Sequence, residues 1–301
     1  MRACLIIAAK GTARFASVKR GRPKEALQMF QPTVPRSRIV SLFSTMELIF
    51  HVAVRDIRKS NGNAIMGLIV SIVQSLIMVL VFWVMFTVLK MRGSAVRGDF
   101  MLYSMSGVFM FLTHVRAIKA VSTSEGPTSS MMKHAPMNTV VSISGQALAT
   151  LYQQVLAIAV ILFFYNACFN RITIEQPIQV FGMLLLAWGS GVGVGMVFKA
   201  ATPWAPDFCA VMTIVYTRVN MVASGKMFLA NSMKTSLLAW FQWNPLFHII
   251  DQTRGFIFLN YNPHYSSASY PLIAVFVLII IGLMGDAFTN RYASMSWSMG
   301  K

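Results

Sequence analysis

The chain has 301 residues, of which 56% are apolar and 12% charged, and its formal net charge is +17. Near-uncharged runs of about 20 residues, enough to span roughly 30 Å of hydrocarbon, are spread over most of that length and exclude a pair of soluble globular domains. Lipid offers backbone groups no water, and the runs lack strand alternation. The chain therefore reads as an all-α integral membrane protein, and a β-barrel is excluded.

Much of the charge sits at the front. Residues 1–40 carry Arg2, Lys10, Arg14, Lys19, Arg20, Arg22, Lys24, Arg36 and Arg38 against Glu25, with Gly and Pro interspersed. This composition predicts a disordered basic tail. No aromatic residues interleave with the charges in the way nucleic-acid binding requires, so the partner expected of the tail is anionic membrane lipid and not nucleic acid. Leu5 to Ala9 is too short for a secretory apolar core, and Met29 and Met46 are alternative starts of the working protein.

Residues 41–61 change pattern. Leu42, Met46, Ile49, Phe50, Ala53, Val54 and Ile57 make one face, with Glu47, His51, Arg55 and Arg58 opposite, which predicts an amphipathic helix lying in the interface. Asn61-Gly62-Asn63 then turns the chain into a six-span domain over residues 62–290. The spans are expected at about 64–89, 100–121, 140–165, 177–198, 207–224 and 270–288, followed by a tail at 291–301. His114, Arg116 and Lys119 are expected to bring the second span out of hydrocarbon. Gln146, Gln153 and Gln154 on the third favour a surface facing the bundle or a cavity. Gly189, Gly191, Gly193 and Gly195 near the end of the fourth lack a phosphate loop's Lys-Ser/Thr and instead permit close helix approach. The fifth span holds Arg218 and Asn220.

Between the last two spans lies Trp243-Asn244-Pro245-Leu246-Phe247-His248-Ile249-Ile250-Asp251-Gln252-Thr253-Arg254-Gly255. Asn244 can cap a helix opened by Pro245, and Gly255 can end it. Leu246, Ile249, Ile250 and Thr253 form one face, while His248, Asp251, Gln252 and Arg254 fall largely on the other. That pattern predicts a short helix at a membrane face, resting against or dipping into lipid. The Lys/Arg bias before the first span places the N-terminus in the cytoplasm, and six spans return the C-terminus there.

Catalysis finds little support. The histidines are scattered over both sides without metal-helix spacing, no carboxylate pair falls in a span, and Cys4, Cys168 and Cys209 are separated by topology. No nucleotide-binding loop is present, so energy must come from a partner or a gradient.

An interfacial helix ending in Arg55-Asp56-Ile57-Arg58-Lys59, six spans, the loop Ser130-Met131-Met132-Lys133-His134-Ala135-Pro136, Ser224-Gly225 after an Arg-containing fifth span, and Trp243-Asn244-Pro245-Leu246 with Arg254-Gly255 occur in this order. Over about residues 41–290 the chain resembles the permease subunit of type-2 ATP-binding-cassette exporters, in the branch that moves capsular polysaccharide and O-antigen. The resemblance implies a transport subunit of the bacterial inner membrane, not an enzyme, that pairs with a second copy of itself and with a cytoplasmic ATP-binding-cassette ATPase. The chain itself would bind no cofactor; ATP and Mg would sit on the ATPase. Met131, Met132, Lys133, His134 and Pro136 would couple to that ATPase. Glu47, His51, Arg55 and Arg58 would belong to a gate helix. The segment between Asn231 and Tyr261 would form short re-entrant helices before the last span.

A lipid-linked polysaccharide needs a path that offers aromatic rings to sugar C–H faces and amides to hydroxyls, without deep charge wells. Candidates are Tyr152, Gln153, Tyr216, Asn220, Trp240, Trp243 and Tyr261, with Arg218 for an anionic group such as a lipid-linked pyrophosphate. The competing classes are a drug or lipid exporter of the same architecture, with fewer amides and aromatics along its path, and a membrane-embedded enzyme, which would need a convergent His or acid constellation.

Overall fold

The computed structural model describes residues 38–61, 64–88, 100–126, 138–169 and 171–299. Residues 1–43 and 44–301 form two compact units. The described part of the first is limited to the opening turns of α1 (Arg38–Asn61). Residues 1–37 of the expected basic tail lie outside the described residues, while 38–40 open α1 as helix; also outside are the turn at Gly62-Asn63 and Met131, Met132, Lys133, His134 and Pro136.

The second unit continues through α2 (Ala64–Val88), α3 (Phe100–Ser122), α4 (Thr139–Cys168), α5 (Pro177–Ala201), α6 (Pro206–Ala223), α7 (Thr235–Phe241), α8 (Pro245–Ile257) and α9 (Ser269–Met299). No strand occurs among the described residues. α2, α3, α4, α5 and α9 are long and apolar enough to cross a membrane. α6, the expected fifth span, is shorter at 18 residues and carries Asp207, Arg218 and Asn220. α9 runs on to Met299, so residues 291–299 extend the last helix instead of forming a separate tail.

α5 is the axis of the bundle, and its glycines explain why. A Cβ at Gly191 would stand 2.4 Å from the His114 carbonyl oxygen of α3, and one at Gly195 would stand 2.9 Å from Val121 Cβ. On the other flank, a Cβ at Gly193 would meet Leu278 Cβ of α9 at 2.8 Å, while Gly282 of α9 returns the fit against Met196 at 2.5 Å. Alternate glycines thus open two opposite grooves, and α3 and α9 pack into them at a separation larger side chains forbid.

The segment 245–257 does not rest on a membrane face. Leu246, Ile249 and Ile250 are 0–1% exposed and pack on Met110 and Phe111, midway along α3, and on Ala187 of α5. Ile257 and Phe258 pack on Leu102 and Tyr103 near the start of α3. α8 therefore climbs from the middle of the spans to one end, in the manner of a re-entrant half-helix. The cap works as the sequence suggests: Asn244 Oδ1 accepts from the Leu246 N–H at 3.0 Å, with Pro245 at the first turn. Gly255 does not end the helix; its bare face receives the Pro263 ring, which a Cβ would meet at 2.8 Å.

Candidate functional site

Because both faces of α8 are buried, its polar residues need internal partners, and they have them. Arg254, 0% exposed, donates through Nη1 to the carbonyls of Gly225 (3.2 Å) and Phe228 (2.7 Å), and through Nη2 to that of Lys226 (2.5 Å). Its guanidinium lies 4.1 Å over the Tyr103 ring. These carbonyls follow the C-terminus of α6, so the cation also meets the negative end of that helix. Gly225 makes the turn possible: its φ is +68°, and a Cβ there would strike Phe247 Cδ2 at 2.4 Å.

One turn earlier, Asp251 accepts from the Tyr261 hydroxyl at 2.5 Å and the Ser266 hydroxyl at 2.7 Å. Burial, and then the Asp251 charge, raise the Tyr261 phenol far above its ordinary range, so it stays a donor. His248 bonds through Nε2 to the Gln242 carbonyl at 2.8 Å and accepts at Nδ1 from the Ser267 N–H at 3.1 Å, which assigns the neutral ring with its proton on Nε2. Lys226 is 2% exposed, with Nζ 3.4 Å above the Phe111 ring, and burial pushes its ammonium down to about 7.

Two further polar clusters tie the spans. His114 is fully buried, with Nδ1 2.8 Å from Ser190 Oγ of α5 and Nε2 3.3 Å from the Tyr216 hydroxyl of α6. Arg116 bonds Gln154 of α4, the Ser71 carbonyl of α2 at 3.0 Å and Gln74 at 3.2 Å. Neither residue carries α3 out to water, as the sequence suggests for its last turns. Both turn into the bundle, because α5 offers His114 a hydroxyl and α2 and α4 offer Arg116 acceptors. The amides of α4 split as a bundle-facing surface predicts: Gln146 and Gln154 are buried and Gln153 is partly buried.

At the opposite end from α8, α1 joins the bundle. Val52 packs into the gap left by Gly145 of α4, where a Cβ would lie 2.5 Å from its Cγ1. Met46 and Phe50 remain exposed, the surface an interfacial helix turns to lipid. Glu47 and His51 lie 3.8 Å apart on the exposed side, and Arg58 is exposed as well. Arg55 turns away from them to pair with Glu125 at 3.6 Å, just past α3. There Lys199 of α5 holds the Ser124 hydroxyl and, at 3.1 Å, the Glu125 carbonyl. Asp286 of α9 accepts from Thr139 and Asn290, both at 3.0 Å. The two ends of the loop 123–138 are thus fastened to α1, α5 and α9.

The path candidates divide. Tyr152, Trp240 and Trp243 are 58–83% exposed, and Gln153 is partly buried. Tyr216 is partly buried between His114 and Phe198. Asn220 and Tyr261 occupy no path surface: Asn220 accepts from Asn244 Nδ2 at 2.6 Å, and Tyr261 is held by Asp251, so both are internal ties. Arg218 is exposed on α6, on a face with Val211, Val215, Val219 and Val222, and makes no hydrogen bond or ion pair among the described residues. Sequence reasoning missed the His114–Ser190–Tyr216 cluster, whose members lie in three separate helices. The available signal was a histidine and a serine inside apolar runs, where each needs a partner.

No curated protein matches the chain. The family model described as ABC-2 type transporter matches residues 47–258, from within α1 through α8. That match takes in well over half of a multi-pass helical membrane protein, and the chain accordingly belongs to the ABC-2 type transporter family as a permease subunit.

Proposed function

We propose that this permease exports a lipid-linked polysaccharide of capsule or O-antigen type across the bacterial inner membrane, as a homodimer driven by a cytoplasmic ATP-binding-cassette ATPase that carries the ATP and Mg. The observation that carries this reading is the outer face of α6, which beyond Asp207 in its first turn is apolar except for Arg218. An Arg facing lipid there costs about 2.5–3.5 kcal/mol on insertion scales. A second copy set against α2 and α6, each with a largely apolar exposed face, would enclose Arg218 beside a channel where an anionic headgroup can meet it. The exposed Tyr152, Trp240 and Trp243 suit sugar faces better than a small apolar drug.

Work done by the ATPase would enter through the loop that starts at Ser124-Glu125 and contains Met131, Met132, Lys133, His134 and Pro136. Arg55 would pass the motion to the gate helix α1. With α1 and that loop in the cytoplasm, both termini lie there, α6 serves as the fifth span and α9 as the sixth. The experiment is deletion of the gene in its host. Loss of surface polysaccharide with glycan retained inside, restored by the wild-type chain and not by one with two charged residues inserted between Ser129 and Met131, supports the proposal. Normal surface glycan in the deletion strain refutes it.

A further inference from the structure

A cavity of about 250 Å³ lies among α3, α4 and α5, with α3 as its floor. Met105 and Phe109 of α3 and Leu184 of α5 are 3–6% exposed and form its inner wall; Ile158, Ala159 and Phe181 line the side toward the outer surfaces of α4 and α5. α4 and α5 are tied by the Trp188 indole N–H, which donates to the Ala147 carbonyl at 2.8 Å, and they otherwise meet over only a short stretch. The cavity is the gap that remains between them toward the other end. Its lining belongs to the first half of α3, the second half of α4 and the first half of α5, joined by Ile174 and by Ile257 of α8, so it lies within one leaflet, on the α8 side.

We infer that this cavity takes one acyl chain of a bilayer phospholipid, whichever substrate the transporter moves. The lining is apolar apart from Ser106, whose hydroxyl is already spent on the Tyr103 carbonyl at 2.7 Å. The cavity therefore presents at most one hydroxyl acceptor, fewer partners than a buried water or a sugar needs. Its mouth opens between two helices long and apolar enough to span, where the surrounding medium is hydrocarbon. A dry void wider than the ~150 Å³ that holds a benzene molecule forfeits dispersion contacts along its whole wall, and a neighbouring lipid tail restores them without crossing water. A chain seated there would wedge α4 against α5 and support the shelf on which α8 rests, since Leu184 belongs to the same apolar cluster as Leu246, Ile249 and Ile250.

The test uses the full chain reconstituted in phosphatidylethanolamine and phosphatidylglycerol vesicles, with a trace of phosphatidylcholine carrying a diazirine midway along one acyl chain. After photolysis, label is mapped by peptide sequencing. The expected result is label on the floor residues Met105 or Phe109, which a chain passing along the outer surface cannot touch. Ala159→Trp, which fills the mouth, should lower floor labelling several-fold while exposed Phe276 of α9 keeps its label. Ile158→Trp gives the same reading should the first variant fail to fold. Label confined to outward residues, floor label unchanged in a folded filled variant, or displacement of the label by excess polyprenyl phosphate would each overturn the assignment.

Discussion

Gly107 of α3 faces the Arg254 guanidinium so closely that a Cβ at 107 would stand 3.0 Å from Nη2 and 3.0 Å from Lys226 Cβ. The bare glycine is what lets Arg254 reach the carbonyls that follow α6. Gly107→Val should push the guanidinium off at least one of them. Overpacking costs about 1–3 kcal/mol, and a buried cation left without acceptors raises the total. In detergent, thermal unfolding of Gly107→Val should fall well below wild type. Gly182→Val, at a site with nothing within 4 Å, should not. Equal stability of the two variants would show that the contact is dispensable.

Arg55 and Glu125 are 3.6 Å apart, with 33% and 20% of their side chains exposed. A pair that wet contributes little to stability, about 1 kcal/mol or less, so its breakage is legible mainly in transport. Arg55→Glu and Glu125→Arg should each uncouple ATP hydrolysis from export at near-normal expression, and the double exchange should recover part of the export. A double variant no better than the singles would mean the pair transmits nothing.

Lys226 yields a pH prediction. Burial lowers its folded-state value to about 7, against 10.5 for the ordinary side chain. Between those values the unfolded chain binds a proton that the folded one does not, so stability rises with pH across the window, and the penalty is complete below its lower edge. From about pH 6 to about pH 9, wild-type unfolding temperature should therefore rise relative to Lys226→Met. Parallel profiles for the two proteins would contradict this.

Helix positions were legible because continuous apolar runs need no tertiary information, and the alternate glycines of α5 announced close packing before any partner was known. The fate of α8 was not legible. Its period of polar residues at His248, Asp251 and Arg254 reads as a wet face, yet the partners of these residues sit in irregular segments, at Gly225–Phe228 and at 261–267, which carry no periodic signal. Asn220 and Tyr261 misled for the same reason. An amide or phenol in a membrane chain is as consistent with an internal tie as with a sugar path, and only the position of Asn244 and Asp251 decides.

Arg218 separates a structural tie from substrate contact. Arg218→Lys keeps the charge without the planar fork, and Arg218→Gln keeps amide bonding without the charge. Export should be lost in both, with expression, dimerisation and ATPase binding intact. Loss of assembly instead would assign Arg218 to the dimer interface, and wild-type export by Arg218→Leu would remove it from both.

The most direct measurement places the purified chain and its ATPase in proteoliposomes and offers ATP with either lipid-linked polysaccharide or small apolar drugs. The account predicts ATP-dependent movement of the glycan into the lumen and stimulation of hydrolysis by the glycan, both abolished by Arg218→Leu. Transport of the drugs with the glycan left outside would contradict it.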